Sequence, residues 1–169
     1  MLTQTSYEEA MAAKYPAPVA WATCADDAGR PNALALGWVM CTSIQPPMLA
    51  ISVGLTRYSH DLIDNAGEFV VVFPSEAMNN ATMVVGTKSG RDGDKMTEAG
   101  VRLVPGTVVK APLVDDACAN FECRLAGKLR TGDHTIFAGE VVASHIGPES
   151  ARRIYSLDRD GSLGAVRPA

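Results

Sequence analysis

Residues 119–146 read ANFECRLAGKLRTGDHTIFAGEVVASHI. In the first half, Ala119, Phe121, Cys123, Leu125, Gly127 and Leu129 alternate with Asn120, Glu122, Arg124, Ala126, Lys128 and Arg130. A period of two is the pattern of a strand with one face buried and the other wet. Thr131-Gly132-Asp133 breaks the run, and the chain returns through His134–Ile146, which predicts a hairpin. Further strands are predicted over Val19–Ala25, Ala33–Ile44, Met48–Gly54 and Glu68–Phe73, punctuated by DDAGRPN at 26–32 and QPP at 45–47. Tight turns between strands imply a mainly antiparallel sheet, one that curls into a barrel to hide its edges. Peripheral helices are predicted over Ser6–Lys14, Ser59–Asn65, Glu76–Val85, Arg91–Ala99 and Glu149–Tyr155.

Nothing in the 169 residues suggests a repeat or an internal linker, so a single domain is expected. A hydrophobic fraction of 47% supports a packed core. The net charge of −4, with no run of Lys or Arg, argues against nucleic acid as a main partner. The apolar runs Phe69–Phe73 and Met48–Val53 fall far short of the roughly 20 residues of a membrane span. Residues 1–14 carry Glu8 and Glu9 and show no basic region followed by an apolar one, so no signal peptide is expected. Four cysteines (Cys24, Cys41, Cys118 and Cys123) lack any CxxC spacing and three lie in apolar segments. They read as free thiols in a reducing compartment, and a cytoplasmic location is expected.

Three stretches carry candidate chemistry. In TRYSHDLIDNAG (56–67), Ser59 reads as an N-cap and Gly67 as a helix stop. Thr56, Arg57, Ser59 and His60 gather donors at a helix start, where free amides and the macrodipole favour an anion such as phosphate. An ordinary capped helix with a surface Arg and His reads equally well. In NALALGWVMCTS (32–43), Gly37-Trp38 in mid-strand marks either a close approach by a flat ligand or a large core residue. In SGRDGDKM (89–96), Arg91 and Lys95 either clamp a phosphate or belong to a solvated helix start capped by Asp92. His60, His134 and His145 show no metal-ligand spacing, and neither G-x-S-x-G nor G-x-G-x-x-G occurs.

Together these segments resemble the flavin reductase-like FMN-binding proteins, most of all their flavoredoxin branch. The resemblance rests on residues 32–63, then FVVVFPS (69–75), GTKSGRDGDKM (86–96), APLV (111–114), FECRL (121–125) and GDHTIFAGEV (132–141). It runs from about Pro16 to Ile146. It implies a six-stranded antiparallel split barrel with Greek-key character, followed by a helical or irregular extension over 147–169. It also implies a homodimer with FMN at the subunit interface.

On that resemblance, Trp38, Val39, Met40, Cys41, Thr42 and Ser43 border the isoalloxazine, with Asn32 at the start of the same segment. Ser52, Val53 and Gly54 border the tail, and Arg57, Tyr58, Ser59 and His60 receive the phosphate. Ser89, Arg91, Asp94 and Lys95 supplement that pocket, and His134 lies on the side where nicotinamide would stack. Without the resemblance, His134 reads as a turn residue bonded to Asp133. The chain departs from the family where Ala33-Leu34-Ala35 replaces a Met-Thr pair, where Val72 replaces an Asn, and at Gly93 and Met96. The implied activity is hydride transfer from NAD(P)H to flavin, with the reduced flavin passing to an oxygenase. The rivals are a flavoredoxin-type protein that passes electrons to a protein acceptor and a non-catalytic FMN carrier.

Overall fold

The computed structural model describes residues 1–165. Among these residues four α-helices, α1 (Tyr7–Ala12), α2 (Tyr58–Ala66), α3 (Asn79–Thr87) and α4 (Lys95–Ala99), and a short 3-10 turn over Glu76–Met78 accompany twelve strands. The strands are β1 (Ala17–Pro18), β2 (Ala20–Ala25), β3 (Pro31–Leu36), β4 (Val39–Ser43), β5 (Met48–Gly54) and β6 (Glu68–Phe73). They continue as β7 (Leu103–Val104), β8 (Leu113–Val114), β9 (Ala119–Thr131), β10 (His134–Ile146), β11 (Ile154–Ser156) and β12 (Leu163–Ala165). Among the described residues no helix is long and apolar enough to cross a membrane.

The main sheet has seven strands in the order β3-β2-β6-β9-β10-β5-β4, and every pairing is antiparallel. Its two edges, β3 and β4, are separated in sequence only by Gly37 and Trp38. The sheet must therefore curl until its edges meet, with a covalent corner where a ladder would otherwise be. Counted as one bent strand, 31–43 gives the six strands expected of a split barrel. Gly37-Trp38 is thus a corner between two strands and not the middle of one.

Each face of the sheet has its own core. Inside the curl, Leu49, Ile51, Phe69, Val71, Cys123 and Phe137 pack together with Ile63 of α2. Outside, Trp21, Val70 and Val72 pack under Val85 of α3, Met96 of α4 and the segment holding Val109 and Val114. Strand β6 lies between these cores, so Phe69, Val70, Val71 and Val72 are all fully buried. That explains a continuous apolar run where a half-exposed strand would alternate.

The alternation in 119–130 is only partly obeyed. Asn120 and Glu122, on the face expected to be wet, are buried beneath residues 107–114. Asn120 Oδ1 accepts from Val114 N at 2.8 Å, and its Nδ2 donates to Val114 O at 3.0 Å. Glu122 is 0% exposed and accepts from Thr107 N (3.0 Å), Thr107 Oγ1 (2.6 Å), Val108 N (2.7 Å) and Val109 N (2.8 Å). His145 Nε2 adds a fifth donor at 2.7 Å. At the other end Leu129, on the face expected to be buried, is 62% exposed. The distal half of the β9–β10 hairpin is exposed along most of β9 from Ala126 to Thr131.

The termini depart from expectation in a second way. Residues 154–156 form a strand, not the end of a helix over 149–155, and pair with β1 on one side and β12 on the other. The β-branched Ile154 is fully buried there, which the central strand of a three-stranded sheet offers and a surface helix would not. Residues 166–169 of the expected extension lie outside the described residues. The helix expected from Arg91 begins only at Lys95, because Asp94 caps it by accepting from Met96 N and Thr97 N.

Burial alone would raise the Glu122 carboxyl, but its hydrogen bonds outweigh burial and bring it from an ordinary 4.5 down to about 2. A depressed carboxyl stabilises the fold above its unfolded value, and that contribution is lost as pH falls through the folded one. Glu122→Gln is therefore expected to cost about 3 kcal/mol at neutral pH. In urea titrations its deficit relative to wild type should shrink between pH 4.5 and 2. A deficit that does not change with pH would mean that the carboxylate does not hold the 107–109 segment.

Candidate functional site

Strand β3 runs between two depressions. At its C-terminal end lies a cleft of about 170 Å³ walled by Leu36, Trp38, Ser52, Gly54, Arg57 and His134. At its N-terminal end lies a pocket of about 330 Å³ walled by Asn32, Tyr58, Gly90, Arg91, Asp94 and Lys95. The barrel corner and the β9–β10 hairpin together build the first. Register places His134 opposite Gly54, and the corner brings the Trp38 ring to 4.7 Å from that of His134 at 44°. Trp38 is 48% exposed, so it is a wall and not a core residue.

Two details fix the His134 face. A carboxylate can only accept, so Asp133 Oδ1, 2.7 Å from His134 Nδ1, places a proton on Nδ1. The same bond holds the Asp133 carboxyl below its ordinary range. Nε2 is then left facing Gly54, where an added Cβ would stand 3.5 Å from it and 3.6 Å from Arg57 Cγ. A side chain at 54 would crowd the space between His134 and Arg57.

The helix start does not converge its donors as the sequence suggested. Arg57, not Ser59, is the N-cap residue, with extended φ/ψ of −75° and 135° and no side-chain cap. Successive residues then step by about 100° around the helix, so neighbours cannot share one target. Arg57 lines the first cleft, while Tyr58 lines the second pocket with Arg91 5.3 Å over its ring. Ser59 turns inward, and its buried Oγ accepts from Asn32 Nδ2 at 2.7 Å. His60 lies between Thr135, 2.9 Å from its Nε2, and the Phe137 ring. Ser59 and His60 thus brace the site from behind and line neither depression.

The remaining expected residues also divide. Ser52 faces the cleft and Val53 faces the core. On β4, Met40, Cys41 and Thr42 are exposed along a sheet edge, flanked by the half-buried Val39 and Ser43. Ser89 Oγ accepts from Arg91 N at 3.2 Å, and Arg91 Nη1 donates to Thr56 O at 3.1 Å. Lys95 is buried, and its Nζ donates to Val85 O (3.1 Å) and Lys88 O (3.0 Å), closing the end of α3. Burial pulls its ammonium below the ordinary lysine value. Gly90 lies so close over the pocket floor that any side chain there would overlap Asn32 Oδ1 and crowd Tyr58.

Asn32 Oδ1 is buried without a hydrogen-bond partner. An acceptor in that state is costly unless a ligand or water satisfies it. Asp26 and Arg30 also line the second pocket. The sequence does not single them out, because DDAGRPN reads as a turn; the acid–base pair four residues apart is its available signal.

The family described as flavin reductase like domain matches residues 11–163. An uncharacterized protein of Archaeoglobus fulgidus is 38% identical over 113 residues, covering 67% of this chain. The chain spans 64% of the length of that relative, less than two thirds. The NADH:riboflavin 5'-phosphate oxidoreductase of Streptomyces pristinaespiralis is 29% identical over 155 residues, covering 92% of this chain and 85% of that one. Flavoredoxin from Methanosarcina acetivorans superposes with a TM-score of 0.87 at 26% identity, over 100% of this chain and 93% of that one. With its fold and nearly its whole length accounted for, the chain belongs to the flavin reductase like family.

Proposed function

We propose that this chain binds FMN along β3 and catalyses NAD(P)H-dependent flavin reduction. The observation that carries this reading is the pair of depressions at the two ends of one strand. One is shaped by Trp38, Gly54 and His134, and the other holds cations and an unsatisfied acceptor. The residues fit the cofactor. The space beside Gly54 suits a flat ring, Asn32 Oδ1 suits a ribityl hydroxyl, and Arg57 and Arg91 suit a phosphate. The name of the Streptomyces relative supports the choice of nicotinamide donor and riboflavin phosphate.

When bound, the flavin supplies two-electron chemistry, taking hydride from nicotinamide. The protein's part is placement. Arg57 offsets phosphate charge between the two depressions. Trp38 shields the cleft from water. His134, oriented by Asp133, presents Nε2 to the face on which a nicotinamide carboxamide would rest. A second copy of the chain is proposed to cover the open β4 edge, where Met40 and the 95%-exposed Ile44 stand free, and so to close the flavin site. A cytoplasmic location is part of the same proposal and fits the four free thiols. Reduced flavin would pass to an oxygenase. The similarity to flavoredoxin favours a second reading, electron transfer to a protein acceptor without nicotinamide turnover.

Mixing the protein with FMN and NADH or NADPH should give loss of nicotinamide absorbance in air and anaerobically. Tight FMN uptake without that loss would support the electron-transfer reading instead. Arg57→Ala is expected to weaken FMN by about 1.5–3 kcal/mol, roughly 10- to 150-fold, while riboflavin, which lacks the phosphate, is unaffected. Equal loss for both would place the phosphate elsewhere. His134→Ala should raise the KM for NAD(P)H several-fold, more than it weakens FMN; an equal or larger loss of FMN affinity would put His134 against the flavin alone.

A further inference from the structure

We propose that a third cavity, sharing the Trp38 wall with the cleft, binds a small apolar anion, a ring system that carries one carboxylate. The cavity measures about 360 Å³, within the range of small-ligand sites, about 300–1,000 Å³. It lies where α3, the barrel corner and the β1–β11–β12 sheet meet. Tyr15, Pro18, Leu36, Trp38, Met83 and Leu163 make its wall apolar. Apart from residues 35–38 and Gly86, which it shares with the cleft, its lining is separate from both depressions assigned to the flavin.

Two donors in this apolar wall lack an acceptor. Thr82 is 4% exposed, and its Oγ1 accepts from Trp21 Nε1 at 3.2 Å, so its own O–H is left to donate. That proton has no acceptor among the described residues, which is costly for a buried hydroxyl. The neighbouring hydroxyls are engaged: Thr87 Oγ1 donates to Met83 O at 2.6 Å, and Ser156 Oγ donates to Asp158 O at 3.0 Å. The second donor is Lys14, exposed at the rim, with its ammonium 5.5 Å from the centroid of the Tyr15 ring. Lys14 has no carboxylate partner among the described residues, and the cavity wall contains no carboxylate at all. An apolar cavity with one cation, one idle hydroxyl donor and no opposing acid suits a ligand whose body is apolar and whose polar end only accepts. Tyr15 and Trp38 supply aromatic surface for a ring.

The inference stands apart from the flavin reading, and its test keeps the two separate. 1-Naphthoate and its uncharged counterpart 1-naphthalenemethanol are titrated calorimetrically into wild type, Lys14→Glu and Met83→Asp, each with and without saturating FMN. Wild type is expected to bind naphthoate one to one with a Kd of about 1 mM or tighter, and to prefer it to the alcohol. Lys14→Glu should weaken naphthoate about fivefold or more and leave the alcohol within about twofold, because an exposed cation acts on charge alone. Met83 is 45% exposed, so Met83→Asp is a surface change that puts a carboxylate into the apolar wall. It should weaken both compounds about tenfold. Saturating FMN should leave naphthoate affinity within about twofold. No saturable binding, equal affinity for the two compounds, or wild-type binding by Met83→Asp overturns the proposal. Displacement of naphthoate by FMN would place it in the flavin cleft and overturns the proposal as well. Failure to take up FMN would remove the flavin reading alone, since the flavin-free titrations decide this one. Circular dichroism and thermal unfolding of the two variants guard against misfolding as the cause.

Discussion

The two edges of the main sheet are consecutive strands joined by a two-residue corner, and the rest of the molecule follows from that constraint. Because β3 and β4 are joined by two residues, the sheet has to wrap until the outer strands stand side by side. Wrapping creates an inside that only apolar side chains can fill, and an outside that α3, α4 and residues 101–117 must cover. It also leaves a gap at the corner, where covalent continuity replaces a row of hydrogen bonds. The Trp38–His134 cleft lies at that gap.

Charge is distributed around the gap by equally local rules. A helix that begins at Tyr58 cannot aim four successive side chains at one point, so Arg57 and Tyr58 serve different depressions while Ser59 and His60 brace the wall between them. The 89–95 segment lies close over Asn32 because position 90 has no side chain. Lys95, which the sequence offered as a phosphate ligand, instead ties that segment to the end of α3. Its cationic field reaches the pocket wall, yet two of its three donors are already spent.

Much of this was legible beforehand. Strand positions, the hairpin at Thr131–Asp133, the antiparallel barrel and the helix expected over 59–65 follow from periodicity and turn residues. Three things were not legible, each for a physical reason. The corner at Gly37-Trp38 was hidden because apolar residues continue through it. The burial of Asn120 and Glu122 depended on a distant segment, residues 107–114, folding over them. The role of Asp26 and Arg30 depended on which side of the barrel their turn faced. In each case local pattern was overridden by a partner remote in sequence, which periodicity cannot register.

The double-sided burial of β6 has a consequence for how the protein is made. Phe69–Phe73 is five consecutive apolar residues without a charge or proline to interrupt them. It pairs with β2 on one side and β9 on the other, and β9 begins 46 positions after β6 ends. A chain emerging from the ribosome therefore exposes this segment before its second neighbour exists. During that interval the apolar run lies open to a wrong strand partner, and Glu68 and Pro74 at its two ends are what limit such pairing.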